Sequence, residues 1–168
     1  MKKTEIAKSR FYADGKLGLR EVVDEGPQYK LYESVEDPDC LRYRCLSAKV
    51  ESDIGHEANS TRVAFAAWAK LEVPGDQVQT YLTNLQAKKL VSKLSEPQRM
   101  FLATFDADLT ATESVECPRK EHRVAVVCRE KGIIAEMPDT LGPKESSFDV
   151  IFSPLGLAVL ATVLGQAA

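Results

Sequence analysis

The feature that most constrains the fold is the stretch over residues 117–164, where a segment with helix-type ends precedes two strand-type segments and a second helical segment. Pro118 suits the first turn of a helix, because its missing N–H would have no partner there. Gly132 stands where a left-handed residue commonly ends a helix. These two end signals predict a helix over residues 118–131.

The predicted helix has a packing face and a basic face. A period of 3.6 residues places Val124, Val127 and Cys128 on the side that packs. The opposite side, which is basic toward its amino end, carries Arg119, His122, Arg123 and Val126.

The middle of the same segment also fits a strand. Residues 124–128 are mostly β-branched, and Ile133 and Ile134 open a second such run. In this alternative, residues 129–132 form a hairpin turn. We favour the helix because both of its ends are marked.

The residues that follow predict a β-ribbon and a closing helix. Residues 148–152 alternate between apolar and polar side chains, as a half-buried strand does. Ser153 is a good N-cap, and Pro154 fits the first position of the closing helix. Residues 138–147, which include Lys144, become the tip of the ribbon.

Two strings in this region, REKGII and FDVIFSPLGLAVL, resemble the end of winged-helix domains of the bacterial regulator type. In that family a recognition helix ends in a Lys-Gly pair, two strands follow, and a Thr/Ser-Pro-x-Gly helix closes the domain. The resemblance implies that residues 118–131 are the recognition helix and that residues 138–147 are the wing. This wing departs from a phosphate-binding pattern, because Lys144 stands among acidic residues.

The first half of the chain predicts a small antiparallel sheet. Residues 9–12 and 17–24 read as two strands around a Gly-containing turn. Residues 29–32 and 39–49 read as a third and a fourth strand. Such short, closely spaced strands are typical of an SH3-like barrel.

Helices are predicted after this sheet. Residues 51–59 form a polar loop, and Asn59 or Ser60 caps a helix from Thr61 to about Leu71. Trp68, the only tryptophan, is interpreted as the core residue that joins this helix to the sheet rather than as a ligand-stacking residue.

A second helix, over residues 76–93, connects the two halves. Its apolar stripe could be packed within the chain or form the seam of a homodimer, and it contains Val78, Tyr81, Leu82 and Leu85. Ser95 and Gln98 match a capping box that opens the next helix, and residues 110–116 form a short helix or strand.

The predicted fold class is therefore α+β, in three parts. Residues 1–73 form the small antiparallel β-domain with one helix, residues 74–94 the connecting helix, and residues 95–168 the winged-helix-like domain. A hydrophobic content of 44% with 28% charged residues is ordinary for a globular protein. No apolar run has the length of a membrane span, and the N-terminus lacks the apolar core of a signal peptide, so we expect a cytoplasmic protein without membrane contact.

Sequence motifs for catalysis and metal binding are missing. The chain contains no G-x-x-x-x-G-K-[ST], G-x-G-x-x-G or G-x-S-x-G string. The four cysteines, at positions 40, 45, 117 and 128, include no C-x-x-C pair, so zinc is disfavoured. The acidic segment over residues 33–39 lacks the glycine and bidentate glutamate of a calcium loop. We expect no enzymatic activity, no metal and no cofactor.

Binding is the remaining class of function, and two basic sets are candidates. The first set lies on the predicted recognition helix and wing, where it could contact phosphates, guanine edges and a thymine methyl: Arg119, Lys120, His122, Arg123, Val126 and Lys144. The second set could form a basic stripe on the N-terminal strands, for RNA, DNA or an acidic protein surface: Arg20, Arg42, Arg44 and Lys49. Four glutamates near the first set favour a self-compensating surface instead: Glu113, Glu116, Glu121 and Glu130.

Two functions therefore stay open. The first is a DNA-binding regulator or accessory factor, as a dimer, that reads DNA with residues 118–131. The second is an interaction protein that binds and modulates a host protein, and the formal net charge of −3 favours it. The strings DGKLGLREVVDEGPQYKLY and DCLRYRC look similar to small proteins of phage and prophage genomes.

Overall fold

The computed structural model describes residues 1–31 and 39–167, with side chains up to residue 165. The chain forms two compact units, Met1–Leu82 and Thr83–Ala168, called the N-terminal and C-terminal units below. The fold is α+β, as predicted, and the described residues contain five α-helices and two antiparallel sheets. None of these helices has the length and apolar character needed to cross a membrane. Most of the predicted acidic loop, residues 33–38, lies outside the described part of the chain.

The sheet of the N-terminal unit has the strand order β4-β3-β2-β1-β5, and all neighbouring strands are antiparallel. Its strands are β1 Phe11–Ala13, β2 Leu19–Glu25, β3 Cys40–Ser47, β4 Glu57–Thr61 and β5 Leu71–Val73. The first four strands therefore form a meander, and the fifth pairs with the first.

Helix α1, Arg62–Trp68, lies between β4 and β5 and packs its Phe65 into the core of this unit. The Phe65 ring contacts two sheet residues, with centroid distances of 5.7 Å to Tyr12 and 5.6 Å to Tyr43. It also contacts Trp68 on its own helix, at 5.4 Å. One aromatic side chain thus joins the helix to strands β1 and β3.

The start of α1 is held by a cluster of polar contacts around Arg62, whose side chain is 15% exposed. Its guanidinium donates to Asp39 at 2.6 Å, to Glu25 at 2.7 Å and to the carbonyl oxygen of Ile6. The hydrogen bond to the Glu25 carboxylate raises the pKa of Arg62. The cluster connects the helix to the end of β2, the start of β3 and the N-terminal segment.

Several element boundaries in this unit differ from the predictions. The predicted strand over residues 29–32 is wrong for its described part, because residues 27–29 form a 3-10 turn and residues 30 and 31 belong to no strand. The predicted loop over residues 51–59 is wrong at its end, because edge strand β4 begins at Glu57. The side chains of β4 are partly or fully exposed, so the strand shows no apolar alternation. Helix α1 is capped by Thr61, whose Oγ1 accepts from the N–H of Ala64 at 3.2 Å. It ends before Leu71 because β5 pairs with β1 there.

The C-terminal unit contains a three-stranded antiparallel sheet with the order β6-β8-β7. Its strands are β6 Ser114–Pro118, β7 Ile134–Glu136 and β8 Ser147–Phe152. Its helices are α2 Val78–Val91, which contains the division between the units, α3 Glu96–Leu102, α4 His122–Glu130 and α5 Pro154–Ala167. Phe105 packs edge-on against Phe101 and Phe152 in the core, with centroid distances of 5.0 and 4.8 Å.

The prediction of a helix rather than a strand is confirmed for residues 122–130, but the predicted start is wrong, because Pro118 is the last residue of strand β6 and pairs with Ser147. A 3-10 turn, Arg119–Glu121, precedes α4. Helix α4 ends at Glu130. Gly132 follows the cap residue Lys131 with a φ of +75°, and the N–H of Ile133 donates to the carbonyl of Cys128 at 3.0 Å, as in a Schellman motif. The predicted packing face is partly wrong, because Ala125 and Cys128 are fully buried while Val127 is only half-buried.

The end signals of the other helices in this unit are also confirmed. The Ser95 backbone N–H donates to Gln98 Oε1 at 3.0 Å in the predicted capping box, and Ser153 Oγ accepts from the N–H of Gly156 at 2.9 Å.

The apolar stripe of α2, from Val78 to Leu85, is half-buried to buried. None of the large exposed hydrophobic residues in the described part of the chain lies on α2. The homodimer seam stays a prediction.

Gly156 is required by the packing of α5. A methyl group built on Gly156 would lie 1.9 Å from the carbonyl oxygen of Ile133. We therefore expect Gly156→Ala to lower the free energy of unfolding by about 2 kcal/mol, a typical cost of overpacking, in urea denaturation. Gly165→Ala is the matched control in the same helix, because no described atom lies within 4 Å of its added methyl group. The control should be neutral or stabilising, by up to about 1 kcal/mol.

Asp24 makes the stability of the N-terminal unit sensitive to acid. Lys8 Nζ donates to one oxygen of Asp24 at 2.7 Å and Tyr29 Oη to the other at 2.6 Å, and the bond from Lys8 is the main reason that the pKa of Asp24 falls to about 2. An unfolded aspartate titrates near pH 3.9, roughly, so this contribution to stability is present above that pH and is lost as the pH falls toward 2. Asp24→Asn should flatten the change in unfolding free energy across this window. Asp76→Asn, which removes a carboxylate without an ion pair among the described residues, should leave the acid dependence unchanged.

Candidate functional site

Arg119, in the 3-10 turn that leads into α4, binds the ribbon that follows the helix. We call residues 137–146, between β7 and β8, the wing loop. The Arg119 guanidinium donates to the carbonyl oxygens of Gly142, at 2.5 Å, and Glu145, at 2.8 Å. The backbone N–H of Arg119 donates to the carbonyl of Ser146 at 2.8 Å. Arg119 therefore holds the wing loop next to the helix.

Two further side chains of α4 hold the start of the same loop. His122 Nε2 lies 3.0 Å from the carbonyl oxygen of Pro138, and its ring packs edge-on against Phe148 at 5.0 Å. Because a carbonyl only accepts, this nitrogen carries the hydrogen in that contact. Arg129 donates to Asp139 at 2.7 Å and to the carbonyl of Met137 at 3.2 Å. The loop is thus attached to the helix at both of its ends.

The other predicted residues of the first basic set stay available at the surface. Lys120, Arg123 and Lys144 are exposed, and none forms a hydrogen bond or ion pair with a described residue. The four nearby glutamates form no ion pair with these cations either, so self-compensation does not occur through direct pairing among the described residues. Val126 is half-buried one turn along the helix. An open depression of about 390 Å³ lies between the amino end of α4 and the wing loop.

The second basic set divides into two places in the N-terminal unit. Arg42 and Arg44 share the carboxylate of Glu57, each at 2.8 Å, and Arg44 also approaches Glu21 at 3.5 Å. The hydrogen bonds from Arg44 and Arg42 lower the pKa of Glu57. These two arginines are therefore compensated within the sheet and do not form a free basic stripe.

Arg20 and Lys49 line a cavity of about 490 Å³ instead. Lys49 lies just beyond the end of β3 and not on the strand as predicted. The central carbon of the Arg20 guanidinium lies 4.3 Å from the ring centroid of Tyr43 and 4.1 Å from that of Trp68. We call this space the Arg20 cavity. Its walls come from the β1–β2 turn, strands β2, β3 and β4, the 3-10 turn at Glu51–Asp53 and helix α1.

The β1–β2 turn positions Trp68 at this cavity. Asp14 Oδ1 accepts from the backbone N–H groups of Lys16, at 2.8 Å, and Gly18, at 2.9 Å, and so fixes the turn. A methyl group on Gly18 would lie 2.9 Å from Cζ2 of Trp68 and 2.8 Å from Oδ2 of Asp14. Only glycine permits this close approach of the indole ring to the turn.

Sequence reasoning did not find the Arg20 cavity. It placed Trp68 in the core, whereas the structure shows a half-buried ring that packs on the core and also lines the cavity. Arg20, Tyr43 and Trp68 are far apart in the chain, and no spacing rule connects them. The only local signal was the presence of one tryptophan in a half with many strand-borne cations.

Neither thiol chemistry nor metal chemistry is evident in the described residues. All four cysteines are buried thiols that form no disulfide within the described part of the chain. Burial raises the pKa of Cys117 and that of Cys128 to about 11, so both thiols are protonated at neutral pH. No group of three His, Cys, Asp or Glu side chains within residues 1–31 and 39–167 could hold a metal ion.

No protein-family model, curated protein or solved structure matches this chain, so its function has to be inferred from the geometry of these two sites.

The anchoring role of Arg119 can be measured directly. Arg119→Gln removes the charged fork that binds two carbonyl oxygens of the wing loop, so amide hydrogen exchange over residues 142–146 should become faster. Lys120→Gln removes an exposed neighbouring cation without a described partner and should leave that exchange unchanged. Equal exchange rates in the Arg119 variant and the parent protein would contradict the anchoring role.

Proposed function

We propose that this protein binds double-stranded DNA through the amino end of α4 and the wing loop. The observation that carries this proposal is the attachment of the wing loop to α4 by Arg119. Lys144 lies in the chain between the two residues whose carbonyls Arg119 binds, while Lys120 and Arg123 lie next to Arg119 on the helix side. The free cations of the helix and the loop therefore belong to one ordered surface.

The topology of the C-terminal unit supports a winged-helix architecture. The helix is followed by the β7–β8 ribbon, and the earlier strand β6 pairs with β8. The strings that resemble winged-helix regulators fall on the end of α4 and on β8 with α5. One feature differs from a helix-turn-helix: a strand and a 3-10 turn, not a second α-helix, directly precede α4. The phosphate contacts that a preceding helix supplies would therefore have to come from the wing loop.

The residues at the start of α4 and in the wing loop could contact both the bases and the phosphates of DNA. A helix that enters the major groove leads with its amino end, where Arg123 could bind the O6 and N7 of guanine with two hydrogen bonds. Lys120 and Lys144 would contact phosphates, which strengthens binding without sequence preference. Val126 lies one turn along and would face a thymine methyl. Arg119 and His122 act as positioning residues that hold the loop rather than as DNA contacts.

The N-terminal unit is interpreted as an SH3-like barrel in this proposal. The interpretation is supported by the antiparallel meander of four strands and by the return of β5 to pair with β1 after the short helix α1. Its cations Arg42 and Arg44 are paired with carboxylates, so we assign the DNA contacts to the C-terminal unit.

A protein partner is the second candidate function. It is favoured by the acidic character of the wing loop, where the side chain of Asp139 is 84% exposed although it pairs with Arg129. An acidic tip would be repelled by phosphates and attracted by a basic protein surface. The formal net charge of −3 agrees with this alternative.

Binding of a labelled random DNA duplex, followed by fluorescence anisotropy over a series of salt concentrations, tests the proposal. We expect micromolar, salt-dependent binding. The double variant Lys120→Glu, Arg123→Glu should make the slope of log affinity against log salt shallower by at least about 1, because the phosphate contact of Lys120 becomes repulsive. It should weaken binding further because Arg123 no longer contacts the bases. Lys144→Glu alone should reduce this slope by about 1.

The control for the double variant carries the same change in net charge, because each of the two replaces two basic residues by glutamate. Lys2→Glu, Lys3→Glu lies in the N-terminal unit and should bind DNA like the parent protein. DNA binding that the control variant weakens as strongly as Lys120→Glu, Arg123→Glu would contradict a surface on α4. Lack of DNA binding at low salt, together with salt-insensitive capture of a protein, would favour the second function.

A further inference from the structure

We infer that the Arg20 cavity binds a small organic molecule through one oxyanion group, a carboxylate or a phosphate, held by the Arg20 guanidinium. The cavity lies wholly within the N-terminal unit and shares no residue with the proposed DNA surface. The inference is therefore independent of the proposed function, and either one can fail without the other.

The Arg20 side chain is prepared for an anion. Its guanidinium is packed against the rings of Tyr43 and Trp68, which restricts its orientation through cation–π contacts. The group is half-buried, yet no described residue accepts a hydrogen bond from it or forms an ion pair with it. A guanidinium carries its N–H donors along the edges of a planar group, and the spacing of two of these donors matches the two oxygens of a carboxylate or a phosphate. The stacked rings leave this edge as the part of Arg20 that can bind a ligand.

The other arginines of the same unit show that this arrangement is specific to Arg20. Arg42, Arg44 and Arg62 each donate to at least one carboxylate, at distances of 2.6 to 2.8 Å. Arg10 pairs with Glu72 at 3.1 Å. Arg20 lines a cavity and is the only one of these five for which the described residues provide no anion. A bound ligand would supply the anion that Arg20 lacks.

The charges around the cavity favour a single anionic group over a polyanion. Three cations line it, Lys16, Arg20 and Lys49, against two carboxylates, Asp14 and Asp53, so the lining carries a net charge of +1. One oxygen of Asp14 is already occupied by two backbone N–H groups. A chain of several phosphates would be repelled by the carboxylates of Asp14 and Asp53, whereas the charge of one oxyanion would be balanced by Arg20.

The size and the walls of the cavity suit a small molecule with an apolar or aromatic body. A volume of about 490 Å³ falls within the range of small-molecule pockets. Leu17, Ala48 and Ala58 provide apolar surface, and His56 provides a polar group that can donate or accept. Between β2 and β3 the register shifts at Leu19 and Arg20, an irregularity of the kind that redirects side chains next to binding sites.

Trp68 provides a direct readout, because it is the only tryptophan of the chain and lines the cavity. We would titrate the whole 168-residue chain with AMP, benzoate and inorganic phosphate, and follow tryptophan fluorescence and the heat of binding. AMP, benzoate or both should give a saturable change, and the tighter of the two identifies whether a phosphate or a carboxylate is the preferred oxyanion. Inorganic phosphate alone should bind more weakly, because it lacks a body to fill the cavity.

The variants are chosen to separate binding from folding. Arg20→Gln should weaken binding by about tenfold or more, since it removes hydrogen bonds between two charged groups. Arg42→Gln is the matched control, because its guanidinium belongs to the same sheet but pairs with Glu57. It should bind like the parent protein. If Arg20→Gln lowers the melting temperature strongly, the exposed rim variant Lys49→Glu replaces it and should weaken binding about threefold to tenfold through charge repulsion.

The inference is overturned by any of three results. The first is no saturable signal with any of the three probes at millimolar concentration. The second is equal affinity in a folded Arg20→Gln variant and the parent protein. The third is tight binding of a single-stranded oligonucleotide without binding of AMP or benzoate, which would assign the aromatic and cationic groups to a nucleic-acid strand.

Discussion

The packing of Phe65 is the interaction on which the N-terminal unit depends. Its ring contacts Tyr12 on β1, Tyr43 on β3 and Trp68 on its own helix. Aromatic pairs of this kind contribute about 0.5–1.5 kcal/mol each beyond the burial of their surface. Because Tyr43 and Trp68 are held by Phe65 on the core side, their other contacts can position Arg20 at the cavity. The candidate ligand site is thus a direct consequence of how the helix packs on the sheet.

Arginine has two different uses in this protein, and the nearest acceptor decides which one applies. Arg62 and Arg119 bind carboxylates or carbonyl oxygens and thereby connect segments that are distant in sequence. Arg20 and Arg123 have no such acceptor among the described residues. A positive charge without an internal partner costs little at the surface and becomes available to an external anion. Both proposed binding sites rest on this difference, and both are supported by an anchoring arginine or an aromatic ring nearby.

Prediction from sequence succeeded where the signal is local. The capping serine at position 153, the capping box at Ser95 and Gln98, and the glycine that ends α4 are all confirmed, because each depends on hydrogen bonds within a few residues. Strand β4 was missed, because a polar edge strand is defined by its partner β3 and not by its own apolar pattern. For the same reason β5 was not predicted, and the predicted helix ran on to Leu71, the first residue of that strand.

The sequence by itself determined the α+β class, the starts of α3 and α5, the glycine that follows α4 and the residue types that could bind an anion. Only the tertiary structure decided which of those cations are free. Arg119 and His122 looked equivalent to Arg123 on a helical projection, yet the wing loop folds back onto the first two and leaves the third exposed. The cavity around Arg20 likewise exists only after three strands and a helix have come together. Hydrogen bonding and burial between distant segments depend on three-dimensional proximity, which spacing along a chain does not encode.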